Sequence, residues 1–153
     1  METCSPDRVL ATTIRLAIDA DIPRLVEMGQ RFRAESRYAK FLADNPERMA
    51  HLGRQLLACD GLLAMERDGE IIGMLGFILH DHFISGEKVA GEVFWWVEPE
   101  HRGDGLKLLD ETKRRAKAAG AKCLHMIAPS ERVSRLYKIL GYEWVEATYQ
   151  ISL

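Results

Sequence analysis

At 153 residues, 47% hydrophobic and 29% charged, the chain is sized for one soluble domain with a substantial core, and its composition argues against both disorder and two full domains. Its 21 Lys and Arg stand against 23 acidic residues, and a net charge of -2 supplies no global field to hold nucleic acid or an anionic membrane. The longest apolar stretch, residues 71–79, is well short of the roughly 20 residues that a membrane-spanning helix needs. Residues 1–10 hold acids and no apolar run of the signal-peptide kind, so a cytoplasmic protein with no membrane partner is expected. Cys4, Cys59 and Cys123 are odd in number and far apart and form no CxxC pair; they read as reduced thiols, and no metal site is expected.

Residues 1–10 read as a loose N-terminal arm, and residues 11–153, undivided by repeat or linker, as a single domain. Residues 11–18 alternate apolar and polar side chains as a half-buried strand does, and Asp19 offers a cap for an amphipathic helix over 20–35 with Pro23 in its first turn. Asn45-Pro46 opens a second helix that ends near Asp60-Gly61. Residues 62–67 and 70–81 are apolar runs joined by Asp68-Gly69, the dipeptide best suited to a type I′ hairpin turn. The strand over 91–97 places large side chains on both faces and should be covered by helices on both sides. A helix over 106–119 buries Leu106, Leu109 and Ala116, exposes the basic run 113–117, and ends at Gly120. A strand over 122–128, a helix over 130–140 and a final strand pair over 141–153 complete the order β-α-α-β-β-β-α-β-α-β-β.

The most informative segment is 97–107, which joins a buried strand to a helix through Gly103 and Gly105. Glycines let backbone N–H groups approach a ligand, and the helix N-terminus adds partial positive charge, so this turn reads either as a phosphate cradle or as an ordinary strand-to-helix connection. No Gly-Lys-Ser/Thr follows and the three-glycine dinucleotide spacing is absent, which removes the two commonest phosphate loops. His80 and His82 share a strand face and could act as base or bind substrate, but as an HxH metal pair they lack a third ligand.

The run Arg102-Gly103-Asp104-Gly105-Leu106, after a strand ending Val97-Glu98-Pro99-Glu100, resembles the Arg-x-x-Gly-x-Gly/Ala coenzyme A loop of the GNAT acetyltransferase superfamily. Ser130 to Tyr142 resembles that family's later signature, Asn-x-x-Ala-x-x-Leu-Tyr-x-x-x-Gly-Phe, through Leu136-Tyr137 and Gly141-Tyr142. Lys107, Ser130 and Val133 depart from the pattern, standing where Gly or Ala, Asn and Ala are usual. The resemblance implies a mixed, mainly antiparallel α/β sheet of six to seven strands flanked by about four helices, and an N-acetyltransferase using acetyl-CoA as cosubstrate. It implies coenzyme contacts from Trp96, Val97, Arg102, Gly103, Asp104, Gly105, Leu106, Lys107, Ser130 and Ser134.

By the same resemblance, Tyr137 lies beside the coenzyme sulfur as proton donor, and a backbone N–H near residues 96–98 serves the oxyanion where the fourth strand bulges and splays from the fifth. Glu92 lies where many members hold a carboxylate; burial beside Phe94 and Trp96 would raise its pKa toward that of a base, and a solvated strand-end acid is the alternative. The acceptor, an amine-bearing small molecule or protein, would enter over the segments holding Tyr38, His80 and His82. A non-catalytic module binding acyl-CoA or a protein partner is the competing reading. A homodimer is a further expectation, and a nucleic-acid partner is disfavoured by the mild negative charge.

Overall fold

The computed structural model describes residues 11–153, so the expected arm and Cys4 lie outside the described residues. Its elements are β1 (Thr13–Leu16), α1 (Ile22–Glu35), α2 (Pro46–Ala58), β2 (Leu62–Arg67), β3 (Glu70–Asp81), β4 (Lys88–Val97), α3 (Gly105–Ala118), β5 (Leu124–His125) and α4 (Glu131–Ile139). The strands form one sheet in the order β1-β2-β3-β4-β5. The first three pairings are antiparallel and β4–β5 is parallel.

Local chemistry fixes most boundaries. Asp68 and Gly69 take φ 54° and 78°, the left-handed pair of a type I′ turn, and so set β2 against β3. Asn45 caps α2 by accepting from the Arg48 N–H at 3.0 Å, and Ser130 caps α4 by accepting from the Val133 N–H at 3.3 Å. Asp19 is not the cap expected for α1; a 3-10 turn, Asp19–Asp21, intervenes and Asp21 stands at the helix start. The Asp21 carboxylate accepts from the Ile18 N–H and from Arg15, and these bonds tie β1 to that turn.

Two apolar layers sandwich the sheet. Leu25 and Met28 of α1 and Leu56 of α2 pack with Met74 and Trp96 on one face; Leu108 and Ala116 of α3 pack with Leu63, Met65, Leu75 and Val97 on the other. Central β3 is therefore buried on both sides from Ile71 to Phe77, which accounts for its unbroken apolar run. Within α3, Leu109 and Ala116 are buried as expected and Leu108 joins them, whereas Leu106, expected inside, is exposed.

Among the described residues five strands form, not six to seven. Residues 141–153, expected as a strand pair, adopt no strand, and the strand expected over 122–128 shortens to two residues. A strand persists where a neighbour completes its hydrogen-bond ladder, and so short a β5 offers residues 141–153 little to pair with.

Candidate active site

The site begins where the sheet opens. β4 and β5 pair at Ala90–Leu124 and Gly91–His125, and beyond Gly91 β4 continues to Val97 with no β5 residue opposite. The β3–β4 register slips between Gly76 and Phe77, which face Phe94 and Glu92, so Val93 is the extra, bulged residue. The bulge thus lies at Val93 and not at residues 96–98 as expected. It also inverts which N–H groups of β4 face β3 and which face β5. The Ala90 N–H donates to Cys123 on the β5 side, whereas the Glu98 N–H donates to Ile72 on the β3 side. By the period-two alternation of a strand, the N–H groups of Trp95 and Val97 turn away from β3 toward the opening.

Glu92 and Tyr137 meet at this fork. The Ile127 N–H donates to the Glu92 carboxylate at 2.8 Å, and the Tyr137 hydroxyl donates to the Ile127 carbonyl at 3.2 Å. One residue on the segment that follows β5 therefore receives a strand-borne acid and a helix-borne phenol. Desolvation pushes the Glu92 carboxyl from its ordinary 4.5 up to about 7, against the opposing pull of the Ile127 N–H. Desolvation, with the nearby Glu92 charge, raises the Tyr137 pKa far above its ordinary value, so the phenol keeps its proton. Trp95 stacks on Tyr137 with ring centroids 6.4 Å apart, and the Tyr142 ring lies tilted against Tyr137 at 5.2 Å. The Trp95 indole N–H and the Tyr142 hydroxyl are buried without a hydrogen-bond partner, as is the indole N–H of Trp96. Nothing in the spacing of the sequence distinguishes Tyr142 or Trp95 from core aromatics.

At the mouth of the fork two helices begin, α3 after β4 and α4 after β5, so both N-terminal ends lie beyond the same end of a parallel strand pair. The 97–107 turn is a 3-10 segment, Pro99–Asp104, leading straight into α3. A Cβ at Gly103 would meet nothing within 4 Å, whereas one at Gly105 would lie 3.4 Å from both Trp95 and Val97. Gly103 therefore faces open space, and Gly105 serves close packing of α3 on β4. Arg102 lies over the Trp96 ring at 5.1 Å and donates to Glu35 at 2.9 Å. Asp104 pairs with Lys107 at 2.9 Å and with Arg67 at 3.7 Å, and the Lys107 ammonium holds its carboxyl below the ordinary range. Ser130 spends its hydroxyl on the α4 cap, and Ser134 lies one turn into that helix, its N–H bonded to the Ser130 carbonyl.

The remaining expected residues lie apart from this centre or at its edge. Tyr38 is exposed on a 3-10 turn, Arg37–Lys40, after α1. His80 is exposed near the end of β3, and His82, half-buried, follows just after the strand, so the two do not share one strand as expected. The His82 ring comes within 6.2 Å of His125, and Cys123 Sγ lies 3.5 Å from the His125 ring. Among the described residues no three His, Cys, Asp or Glu side chains gather as a metal site. The basic run on α3 is matched by its own helix, Arg114 and Arg115 pairing with Glu111 and Lys113 with Asp110. Sequence reasoning passed over Glu98. It is 4% exposed and is clamped by Arg24 at 3.0 Å and Arg31 at 2.9 Å, which pins α1 to the end of β4.

A sheet forked between two parallel strands, with a glycine-bearing turn and two helix N-termini at its mouth, defines a mixed α/β domain. The acetyltransferase (GNAT) family model matches residues 26–142, and the chain belongs to that family. A search of curated proteins finds no match. Among solved structures, a transcriptional regulator from Bacillus halodurans C-125 is similar with TM-score 0.76 and 20% identity over 94% of this chain and 100% of that one. An aminoglycoside N-acetyltransferase in complex with CoA is similar with TM-score 0.76 and 16% identity over 96% and 97% of the two chains. A ribosomal-protein-alanine N-acetyltransferase from Brucella melitensis biovar Abortus 2308 has TM-score 0.69 and 19% identity over 94% and 99%. No helix among the described residues is long and apolar enough to cross a membrane.

Proposed function

We propose that the protein is an N-acetyltransferase that takes acetyl-CoA as cosubstrate and a small-molecule primary amine as acceptor, joining them by direct attack with no covalent enzyme intermediate. The observation that carries this reading is the convergence of Glu92 and Tyr137 on Ile127 at the open fork. Family membership supports the coenzyme, and the aminoglycoside acetyltransferase fold supports a small amine. The residues present fit the coenzyme: Gly103 opens onto free space, two helix N-termini and Arg102 supply positive charge, and the buried Trp95 N–H and Tyr142 hydroxyl are donors in want of acceptors.

The bound thioester supplies an activated acyl group and a thiolate leaving group. Glu92, ionised above about pH 7, accepts a proton from the acceptor amine, directly or through one water, so that nitrogen attacks as the free base. The Val97 N–H, turned to the opening, donates to the oxygen on which negative charge develops. Tyr137 retains its proton at neutral pH and delivers it to the departing sulfur. Gly103, Gly105, Leu106, Lys107 and Asp104 form the turn around the pyrophosphate, with Arg102 released from Glu35 to join it; Ser134 and the capped start of α4 line the opposite bank. Tyr38, His80 and His82 rim the acceptor side.

The deciding experiment pairs thermal unfolding with and without acetyl-CoA, ATP and NAD serving as controls, with thiol release over a panel of amines. Stabilisation by acetyl-CoA alone, together with amine-dependent thiol release that Tyr137→Phe abolishes while binding persists, is the expected result. Stabilisation without turnover by any amine favours the coenzyme-binding module, a reading supported by the pairing of Arg102 and Lys107 with acids of the chain itself.

A further inference from the structure

A buried acid stands at the joint between β4 and the glycine-bearing turn. Glu98 follows Val97 directly and precedes the 3-10 segment Pro99–Asp104. Its carboxylate is divided between two guanidinium groups of one helix: Arg24 donates to one oxygen at 3.0 Å and Arg31 to the other at 2.9 Å. Those arginines stand about two turns apart on α1, so the acid is held from both directions along the helix axis. Arg24 also donates to the Ile71 carbonyl at 3.2 Å, which ties the same clamp to central β3. The Glu98 backbone is equally committed: its N–H donates to the Ile72 carbonyl at 2.8 Å, and its carbonyl accepts from the His101 N–H at 2.9 Å. Next to it, the Val97 carbonyl accepts from Arg102 at 3.4 Å, and the Val97 side chain lies 3.2 Å from where a Cβ on Gly73 would stand and 3.4 Å from one on Gly105. Val97 is thus fixed by its own side chain and by the peptide that follows it.

We propose that Glu98 is a positioning residue for acyl transfer: clamped by Arg24 and Arg31, it sets the aim of the Val97 N–H at the carbonyl oxygen of the bound thioester. This rests on the N-acetyltransferase reading of the fork. Glu98 itself touches neither substrate. A buried carboxylate shared by two guanidinium groups adds little net stability over apolar side chains of the same volume, because its desolvation is costly. What the clamp supplies is direction, since two charge-assisted hydrogen bonds at fixed distances admit fewer arrangements than apolar contacts do. A donor to a developing oxyanion is effective only when held within about 0.5 Å of its productive place. The clamp also joins that donor to α1, whose Phe32 packs edge-on against Trp96 at 6.4 Å, so α1 reaches the Trp96–Val97 peptide from two sides.

Infrared spectra of the full chain loaded with acetyl-CoA carrying carbon-13 at the thioester carbonyl read this aim, because a donated hydrogen bond lowers the carbonyl stretching frequency. In the wild type the band of bound acetyl-CoA should lie below that of the free compound. Glu98→Gln keeps the shape of the side chain but turns one of its two acceptors into a donor facing a guanidinium, and the band shift should largely disappear. The dissociation constant for acetyl-CoA should change by less than about threefold, since the glycine turn and the helix N-termini are untouched. Arg31→Gln should reduce the shift in part, and combining it with Glu98→Gln should reduce it no further than Glu98→Gln alone, because both act through one contact. A shift in Glu98→Gln equal to that of the wild type overturns the proposal and leaves the acetyltransferase reading standing. Loss of the shift together with loss of acetyl-CoA binding makes Glu98 a scaffold residue only, and overturns it too. A wild type that binds no acetyl-CoA overturns the reading itself, and one that binds it with an unshifted band removes the Val97 N–H from the oxyanion site and this role of Glu98 with it. Should Glu98→Gln fail to fold, Arg31→Gln decides alone, because the Arg31 side chain is 58% exposed and its loss strands no buried guanidinium.

Discussion

As the proposed base, Glu92 sits where ionisation is costly, and this tension has two measurable sides. Its carboxyl is raised from 4.5 to about 7, so between those values the folded protein binds more protons than the unfolded chain. The stability that protonated Glu92 contributes is full below about 4.5 and is lost as pH rises toward 7, so Glu92→Gln should stabilise the protein at pH 8 relative to pH 5, by about 2 to 3 kcal/mol. The amide oxygen can still accept from Ile127, which keeps the fork intact; denaturant titrations at the two pH values read the difference. Activity should move the other way. The wild-type rate rises with pH through about 7, and Glu92→Gln should flatten that limb and lower kcat roughly a hundredfold or more. Tyr137→Phe removes only the proton donor and its bond to Ile127, leaving the stacking on Trp95, so kcat should fall by a similar factor with little change in coenzyme affinity.

The glycines of the connecting elements divide into those the fold needs and those it does not. A Cβ at Gly61, between α2 and β2, would overlap the carbonyl oxygen of Phe77, whose N–H in turn donates to the Gly61 carbonyl at 2.8 Å. Backbone cannot yield as a side chain does, and Gly61→Ala should cost about 3 kcal/mol or more, seen as a lowered denaturation midpoint with an unchanged slope. Gly103 has no such neighbour, so Gly103→Ala should change stability by only about 0.5 kcal/mol or less. The same methyl stands where phosphate oxygens would approach the turn, and it should raise the KM for acetyl-CoA severalfold while kcat for saturating amine holds. A Gly103→Ala enzyme with wild-type KM would remove this turn from the coenzyme site, leaving Gly103 as no more than a link in the 3-10 segment.

What the chain makes legible on its own is local. The Asp68-Gly69 turn, the opening of α2 at Asn45-Pro46 and the glycine stop at Gly120 are chemistry between near neighbours, and the structure has them as read. The candidate site is legible as a proposal where motif and strand end coincide, at 97–107, and where Tyr137 sits in its helix; the Glu98 clamp joins residues 67 and 74 positions apart and leaves no trace in spacing. Strand count fails for a related reason: alternation over 141–153 records a wish for an edge, not which edge. The forked sheet also predicts how the whole molecule responds to its coenzyme. β1, β2 and β3 are locked between two helical layers, whereas α4 is tied back to β4 through Glu92, Tyr137 and Ile127, so a ligand lodged in the fork joins the least supported part of the sheet to the rest. Acetyl-CoA at 100 times its dissociation constant adds about 2.7 kcal/mol, or roughly 5 to 10 °C in a domain of this length. That stabilisation should be uneven. Amide exchange should slow most along residues 124–142 and the 97–107 turn and little within β2 and β3, which already open only with the whole molecule. Uniform slowing across the sheet would mean that the fork is not where the coenzyme enters.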